Sequence, residues 1–180
     1  MSAGKGNGGG TRRSGARRNG QPLIEVRASA LHGLGVFALR PIPSGTRVIE
    51  YLGERISHAE ADRRYEGKEA DDNHTFLFIA DESTVIDAGV DGNEARFVNH
   101  ACQPNCESVI EDARVFIDAI RAIAPGEELT YDYQIQRAAD DPPDIDAIFA
   151  CRCGHPGCRG TMMWPPKRAP RRGTPRRARR

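Results

Sequence analysis

The stretch RFVNHACQPNC, Arg96 to Cys106, places an arginine, an Asn99–His100 pair and two cysteines within eleven residues. On its own, an Asn-His dipeptide is as well explained by a satisfied polar pair or a turn as by a site. What lies downstream changes that reading. CRCGHPGCRG sets Cys151, Cys153 and Cys158 one and then four positions apart, with Gly154, Gly157 and Gly160 supplying turns for a small knuckle. A structural zinc takes four thiolate or imidazole ligands in a closed tetrahedron, so three clustered thiols need a fourth ligand from elsewhere. Cys102, Cys106 and His155 are the candidates. The five cysteines are an odd number in a chain whose N-terminus lacks the apolar core of a signal peptide, which disfavours a disulfide framework.

Outward from these two stretches the pattern is short and β-like. Runs at Leu23–Val26, Gly35–Ala38, Val48–Leu52, Phe76–Ile79, Val85–Asp87, Val109–Ile110, Val115–Ala119 and Leu129–Tyr133 are separated by glycine, proline and acidic clusters. Many short strands predict a mainly β fold. One helix is expected over Ser57–Tyr65, with Ser57 as cap, Glu60 completing a capping box, and Arg63 and Arg64 in the last turn. A short turn is expected over Gly92–Phe97. Residues 1–22 and 165–180 carry little apolar content and many like charges, and are expected to be disordered basic tails. Between them we expect a domain over 23–135, a linker over 136–150 and the knuckle over 151–164.

The net charge of +1 over 180 residues conceals a polarised chain. No acidic residue precedes Glu25 or follows Asp146, and the two tails hold 13 of the 26 basic residues. Leu23–Trp164 therefore sets 13 bases against 25 acids, a balance of −12. An acidic body attracts cationic peptides and repels nucleic acid, whereas the arginine-rich tails suit phosphate backbones. No apolar run approaches the roughly 20 residues of a membrane span. The expectation is an intracellular monomer without membrane contact, its tails offering DNA contact. Lys5 and Lys167 lie in glycine-rich and arginine-rich settings within these tails.

RFVNHACQPNC resembles the signature of the SET domain, usually R-F-x-N-H-S-C-x-P-N-C, with Ala101 in place of serine. Four further matches follow the family's order. SALHGLGVFA, Ser29 to Ala38, looks like its first cofactor loop, and GTRVIEYLGE, Gly45 to Glu54, like the strand after it. GEELTYDY, Gly126 to Tyr133, is similar to its closing motif, and CRCGHPGCRG to its post-SET zinc knuckle. The closest resemblance is to the trithorax and mixed-lineage-leukaemia branch of histone methyltransferases.

This resemblance implies small curved sheets, a C-terminal pseudoknot bringing Asn99 and His100 beside Tyr133, and S-adenosylmethionine as methyl donor to a lysine of a basic protein, a histone or histone-like one. It implies Tyr133 as the catalytic tyrosine, Tyr51 in the lysine channel and Tyr131 at the position that limits product to mono- or dimethyllysine. Gly33, Leu34 and Gly35 are expected against the methionine part of the cofactor, Asn99 and His100 against adenine with Arg96 supporting them, and Trp164 with Met162 over the adenine. Cys102 joins Cys151, Cys153 and Cys158 as the zinc set, leaving Cys106 free and His155 on the surface. Phe76 departs from the branch, which often has tyrosine there, and no cysteine cluster precedes Leu23. Location in nuclear chromatin or a bacterial nucleoid follows from the same resemblance. The rival reading is a catalytically silent module that binds nucleic acid through knuckle and tails.

Overall fold

The computed structural model describes residues 17–18, 20–66 and 76–165. The chain forms β1 (Arg17–Arg18), β2 (Gln21–Pro22), β3 (Ile24–Ala28), β4 (Leu34–Ala38), β5 (Arg47–Tyr51), β6 (Glu54–Ile56), α1 (His58–Tyr65), β7 (Leu77–Ile79) and β8 (Val85–Asp87). After a 3-10 turn at Glu94–Phe97 come β9 (Asn99–His100), β10 (Cys106–Glu111), β11 (Arg114–Ala119), β12 (Glu128–Tyr131), β13 (Ile135–Gln136), α2 (Ile145–Ile148) and β14 (Met163–Trp164). The fold is mainly β, as the runs predict. Two outcomes differ from expectation in detail: β1 pairs with β2 inside the stretch read as a tail, and β13 and α2 occupy parts of the 136–150 linker. Lys5, Lys68, Lys167 and most of both basic tails lie outside the described residues.

Three small sheets carry the body, in the orders β10-β11-β5, β3-β4-β12-β9 and β6-β8-β7. β11 is the central strand of its sheet, which explains why Val115, Phe116 and Ile117 are buried in succession rather than alternately. The side chains of Val115 and Ile117 join Val36, Ile42, Val98, Ile123 and Leu129 in one core, whereas Phe116 lies on the other face under the guanidinium groups of Arg47 and Arg114. The run at Val109–Ile110 extends in the structure to all six residues of β10, because the β10–β11 hairpin supplies partners to Cys106 through Glu111. Its two-residue turn holds Asp112 and Ala113 at φ of 49° and 57°, the left-handed pair that a tight hairpin requires.

α1 starts as predicted, with Ser57 Oγ accepting from Glu60 N at 3.2 Å. The capping box is only half made. The Glu60 carboxylate turns to Arg63 and Arg64, at 2.6 and 2.7 Å, because two guanidinium groups one turn away outbid a single backbone N–H.

The decisive pairing for a site is that of β9 with β12. These strands run parallel, with Asn99 opposite Thr130 and His100 opposite Tyr131, while the other edge of β12 pairs antiparallel with β4. This brings three distant motifs into one sheet, the juxtaposition that the expected pseudoknot needs. Asn105, 2% exposed, wires the same motif to β12: its Oδ1 accepts from Thr130 N at 2.8 Å, and its Nδ2 donates to Glu128 O at 2.7 Å. Beyond Tyr133, β13 pairs parallel with β14, so the chain after the knuckle returns to lie beside the closing motif.

Candidate active site and metal centre

The loop before β4 is shaped by its own backbone. Ser29 N donates to Gly33 O at 2.9 Å, and Ser29 Oγ accepts from Leu31 N at 2.9 Å. Gly33 sits at φ 46°, and a Cβ on Gly35 would stand 2.3 Å from Glu128 Oε1, so neither position tolerates a side chain easily. Leu34 between them is 47% exposed. From β9, Asn99 Nδ2 faces His32 O at 3.2 Å, Leu34 O at 3.0 Å and Glu128 Oε1 at 2.8 Å. The Asn99 amide thus clasps the loop, and Gly33, Leu34, Gly35 and Asn99 form one unit. Arg96 supports the turn from behind: its Nη1 donates to Ala88 O at 2.9 Å and its guanidinium lies 4.7 Å from the Phe97 ring centroid.

His100 is 7% exposed, and its Nδ1 accepts from Tyr133 N at 3.2 Å. Burial lowers its pKa to about 4, against the pull of Asp132, so the imidazole is neutral at pH 7. Its Nε2 lies 3.6 Å from Cys102 Sγ. One imidazole therefore touches both the closing motif and the thiol cluster.

The aromatic residues gather beside this unit. The rings of Tyr131 and Tyr133 are 4.7 Å apart, those of Phe78 and Tyr131 6.3 Å, and those of Tyr51 and Phe78 5.4 Å. Tyr133 Oη donates to Val98 O at 2.9 Å and Tyr51 Oη to Phe76 O at 3.1 Å. Burial raises all three tyrosines, which stay protonated at any physiological pH. Phe78 is a member that sequence reasoning missed. Its signal was the alternation within Phe76–Ile79, which puts residues 76 and 78 on one face of a strand. Phe76 instead packs edge-on against Phe97, ring centroids 5.8 Å apart.

The thiols converge. Cys102, Cys151, Cys153 and Cys158 place their Sγ atoms all within 4.8 Å of one another, with Cys102 at 3.6 Å from Cys151 and 3.8 Å from Cys158. A tetrahedron with zinc–sulfur bonds of about 2.3 Å has edges of about 3.8 Å, so the set fits zinc in both donor type and spacing. Burial pushes Cys102 and Cys151 up. Burial acts the same way on Cys153, but backbone N–H groups of Cys102 and His155 override it and bring that thiol to about 7. Arg159 N donates to Cys102 Sγ at 3.3 Å and Gly160 N to Cys158 Sγ at 3.4 Å, donors suited to thiolate charge. Of the other candidates, His155 turns its Nδ1 to Gly157 N, and Cys106 lies in the core.

Arg159 also ties this cluster to the aromatic site. Its guanidinium makes a two-pronged bridge to Asp132, at 2.7 and 2.8 Å, next to Tyr133. Trp164, 37% exposed on β14, stacks with the same guanidinium at 5.3 Å. Arg137 holds the returning chain through Asp146 and through Pro165 O. A cleft of about 480 Å³ borders Asp132, Tyr133 and Gln134, whereas a second of about 590 Å³ lies along α1 and is lined by none of these site residues.

A glycine-shaped loop clasped by an Asn-His pair, a row of buried and half-buried aromatic rings and an adjoining four-thiol cluster are features of a SET domain. The family model described as SET domain matches residues 33–134, and the chain belongs to that family. Among curated proteins it is 43% identical over 147 residues to "Histone-lysine N-methyltransferase, H3 lysine-4 specific" of Mycosarcoma maydis, covering 79% of this chain and 10% of that protein. It is 42% identical over 147 residues to the protein of the same description in Saccharomyces cerevisiae, covering 79% and 13%. To "Histone-lysine N-methyltransferase trr" of Drosophila melanogaster it is 39% identical over 143 residues, covering 77% and 6%. These relatives accord with the trithorax-like branch that the motifs resemble. The chain spans no more than about a seventh of the length of these three proteins.

Proposed function

We propose that this chain is a protein-lysine N-methyltransferase that uses S-adenosylmethionine and acts on a lysine of a histone or another basic protein. The observation that carries this reading is Tyr133, whose half-buried ring stands against Tyr131 and whose backbone N–H is fixed by His100, beside the loop clasped by Asn99. When bound, the donor supplies an electrophilic methyl on a sulfonium, which departs as a neutral thioether. The rest is geometry and desolvation. A free lysine has pKa about 10.4, so presenting it neutral at pH 7 costs roughly 4.6 kcal/mol. A channel walled by Tyr51, Phe78 and Tyr131 lowers that cost by disfavouring the ammonium form and excluding water.

Tyr133 is the catalytic residue of this scheme, its hydroxyl and the neighbouring Val98 carbonyl fixing the approach of the amine. Tyr131 limits the room for added methyl groups, so mono- or dimethyllysine is the product. Gly33, Leu34 and Gly35 hold the donor's methionine part through backbone. Asn99 and His100 stand on the adenine side with Arg96 supporting their turn, and Trp164 covers it. Cys102, Cys151, Cys153 and Cys158 would hold one structural zinc. The domain plan is a SET core over 23–135 and a post-SET knuckle over 151–164, with the basic tails contacting DNA at chromatin. The names of the relatives and the −12 balance of Leu23–Trp164 support a cationic histone substrate.

The test is methyl transfer from labelled S-adenosylmethionine by the full chain to histone H3, to a basic nucleoid protein or to no added substrate. Label on a lysine of H3, lost by about 10²-fold or more in Tyr133→Phe, is the expected result. Donor binding without label on any substrate would point to a different target. Failure to bind the donor, with DNA still bound, would favour the silent module.

A further inference from the structure

Glu128 occupies an unusual place for a carboxylate. It lies on β12 opposite Phe37 of β4, with its side chain reaching under the loop that runs from Ser29 to Gly35. Ser29 Oγ lies 2.8 and 2.9 Å from its two oxygens, and Asn99 Nδ2 donates to Oε1 at 2.8 Å. The missing side chain of Gly35 is what makes room, since a Cβ there would stand 2.3 Å from Oε1 and 2.9 Å from Cδ. All these donors are neutral. Among the described residues Glu128 has no ion-pair partner, although its neighbour Glu127 pairs with Arg121 and Asp132 with Arg159.

A partly buried carboxylate with hydroxyl and amide donors but no cation leaves a negative potential at that point of the surface. The field extends inward as well: after burial, the Glu128 charge is the cause that raises Tyr133. The loop above the carboxylate is the one assigned to the donor's methionine part. The donor carries a sulfonium, and its product is an uncharged thioether, so the two ligands differ at that sulfur by one unit of charge and the transferred methyl group.

We propose that Glu128 is a positioning residue of the donor site, one that holds the Ser29–Gly35 loop against Asn99 and makes the site prefer the cationic sulfonium donor over its neutral product. This inference rests on the methyltransferase reading. The preference speeds exchange after each turnover, because the ligand to be discharged is the one the carboxylate does not attract. Asn99 and Ser29 transmit the positioning part, and the uncompensated charge supplies the selectivity.

The experiment compares binding of S-adenosylmethionine and S-adenosylhomocysteine by calorimetry to the full chain and to Glu128→Gln and Ser29→Ala. In Glu128→Gln, affinity for the donor is expected to fall about tenfold more than affinity for the product. Ser29→Ala removes a hydrogen bond but not the charge, and should weaken both ligands alike. An unchanged donor-to-product ratio in Glu128→Gln overturns the inference, because a purely structural role weakens both equally. If Glu128→Gln fails to fold, Glu128→Asp replaces it and must preserve the preference; a ratio that collapses with the charge retained also overturns the proposal. Wild-type protein that binds neither ligand overturns the methyltransferase reading and this inference together. Binding of both with an unaltered ratio in the variant overturns only this inference.

Discussion

Asn105 and Cys106 show how differently two adjacent motif residues serve. Asn105 joins the QPN turn to β12 through Thr130 N and Glu128 O while almost fully buried, so truncation leaves two backbone groups unpaired in the core. Asn105→Ala should cost about 2–6 kcal/mol in urea unfolding, at about one to three for each of the two groups left unsatisfied. Cys106 is fully buried, and burial pushes its thiol from 9.0 to about 12. Because the raised group is stable in its protonated form, its contribution is present below pH 9 and is lost as pH rises toward 12. At pH 8 an alkylating reagent should leave Cys106 unmodified in the native chain, and after chelation should reach the other four cysteines first. Mass spectrometry after digestion reads both outcomes. The sequence marked both cysteines of this motif as candidate ligands, and spacing cannot separate them. The difference lies in strand register, since Cys106 begins β10 opposite Ala119 and is thereby fixed in the core.

At the level of elements, the longer strands and the helix were legible because each is written locally. Ser57, Glu60 and the arginines fix α1 within eight residues, and short apolar runs bounded by turn residues mark β3 through β5. The two-residue strands were not legible. β9, β13 and β14 have no pattern of their own and exist because a remote partner passes beside them. Phe78 was missed for a related reason, since its role comes from the rings of Tyr51 and Tyr131 on other strands. Local strain was also out of reach: Ala113 occupies the second turn position of β10–β11 at φ 57°, where glycine is free of the Cβ penalty. Ala113→Gly should raise stability by about 1 kcal/mol in thermal or denaturant unfolding. By contrast, Arg159→Ala breaks a two-pronged, largely buried bridge to Asp132 and loosens the packing on Trp164. Hydrogen exchange should rise across 150–164, with a local loss of about 2–3 kcal/mol, while β3–β5 stay protected.

The molecule as a whole divides its charges, with 13 of the 26 basic residues in its two ends and all 25 acids between them. The described body carries arginine as its only fixed cation, since Lys5, Lys68 and Lys167 all lie outside the described residues. No helix of the described residues is long and apolar enough to cross a membrane. Removal of metal by a chelator should unfold the knuckle before the SET core, giving two thermal transitions where the loaded protein has one. Circular dichroism with parallel zinc release measures this. The four thiols come from two places, Cys102 beside β9 and the remainder beyond residue 150. A backbone cut anywhere between Cys102 and Cys151 therefore parts one thiol from the other three, and neither fragment by itself carries the four-sulfur set.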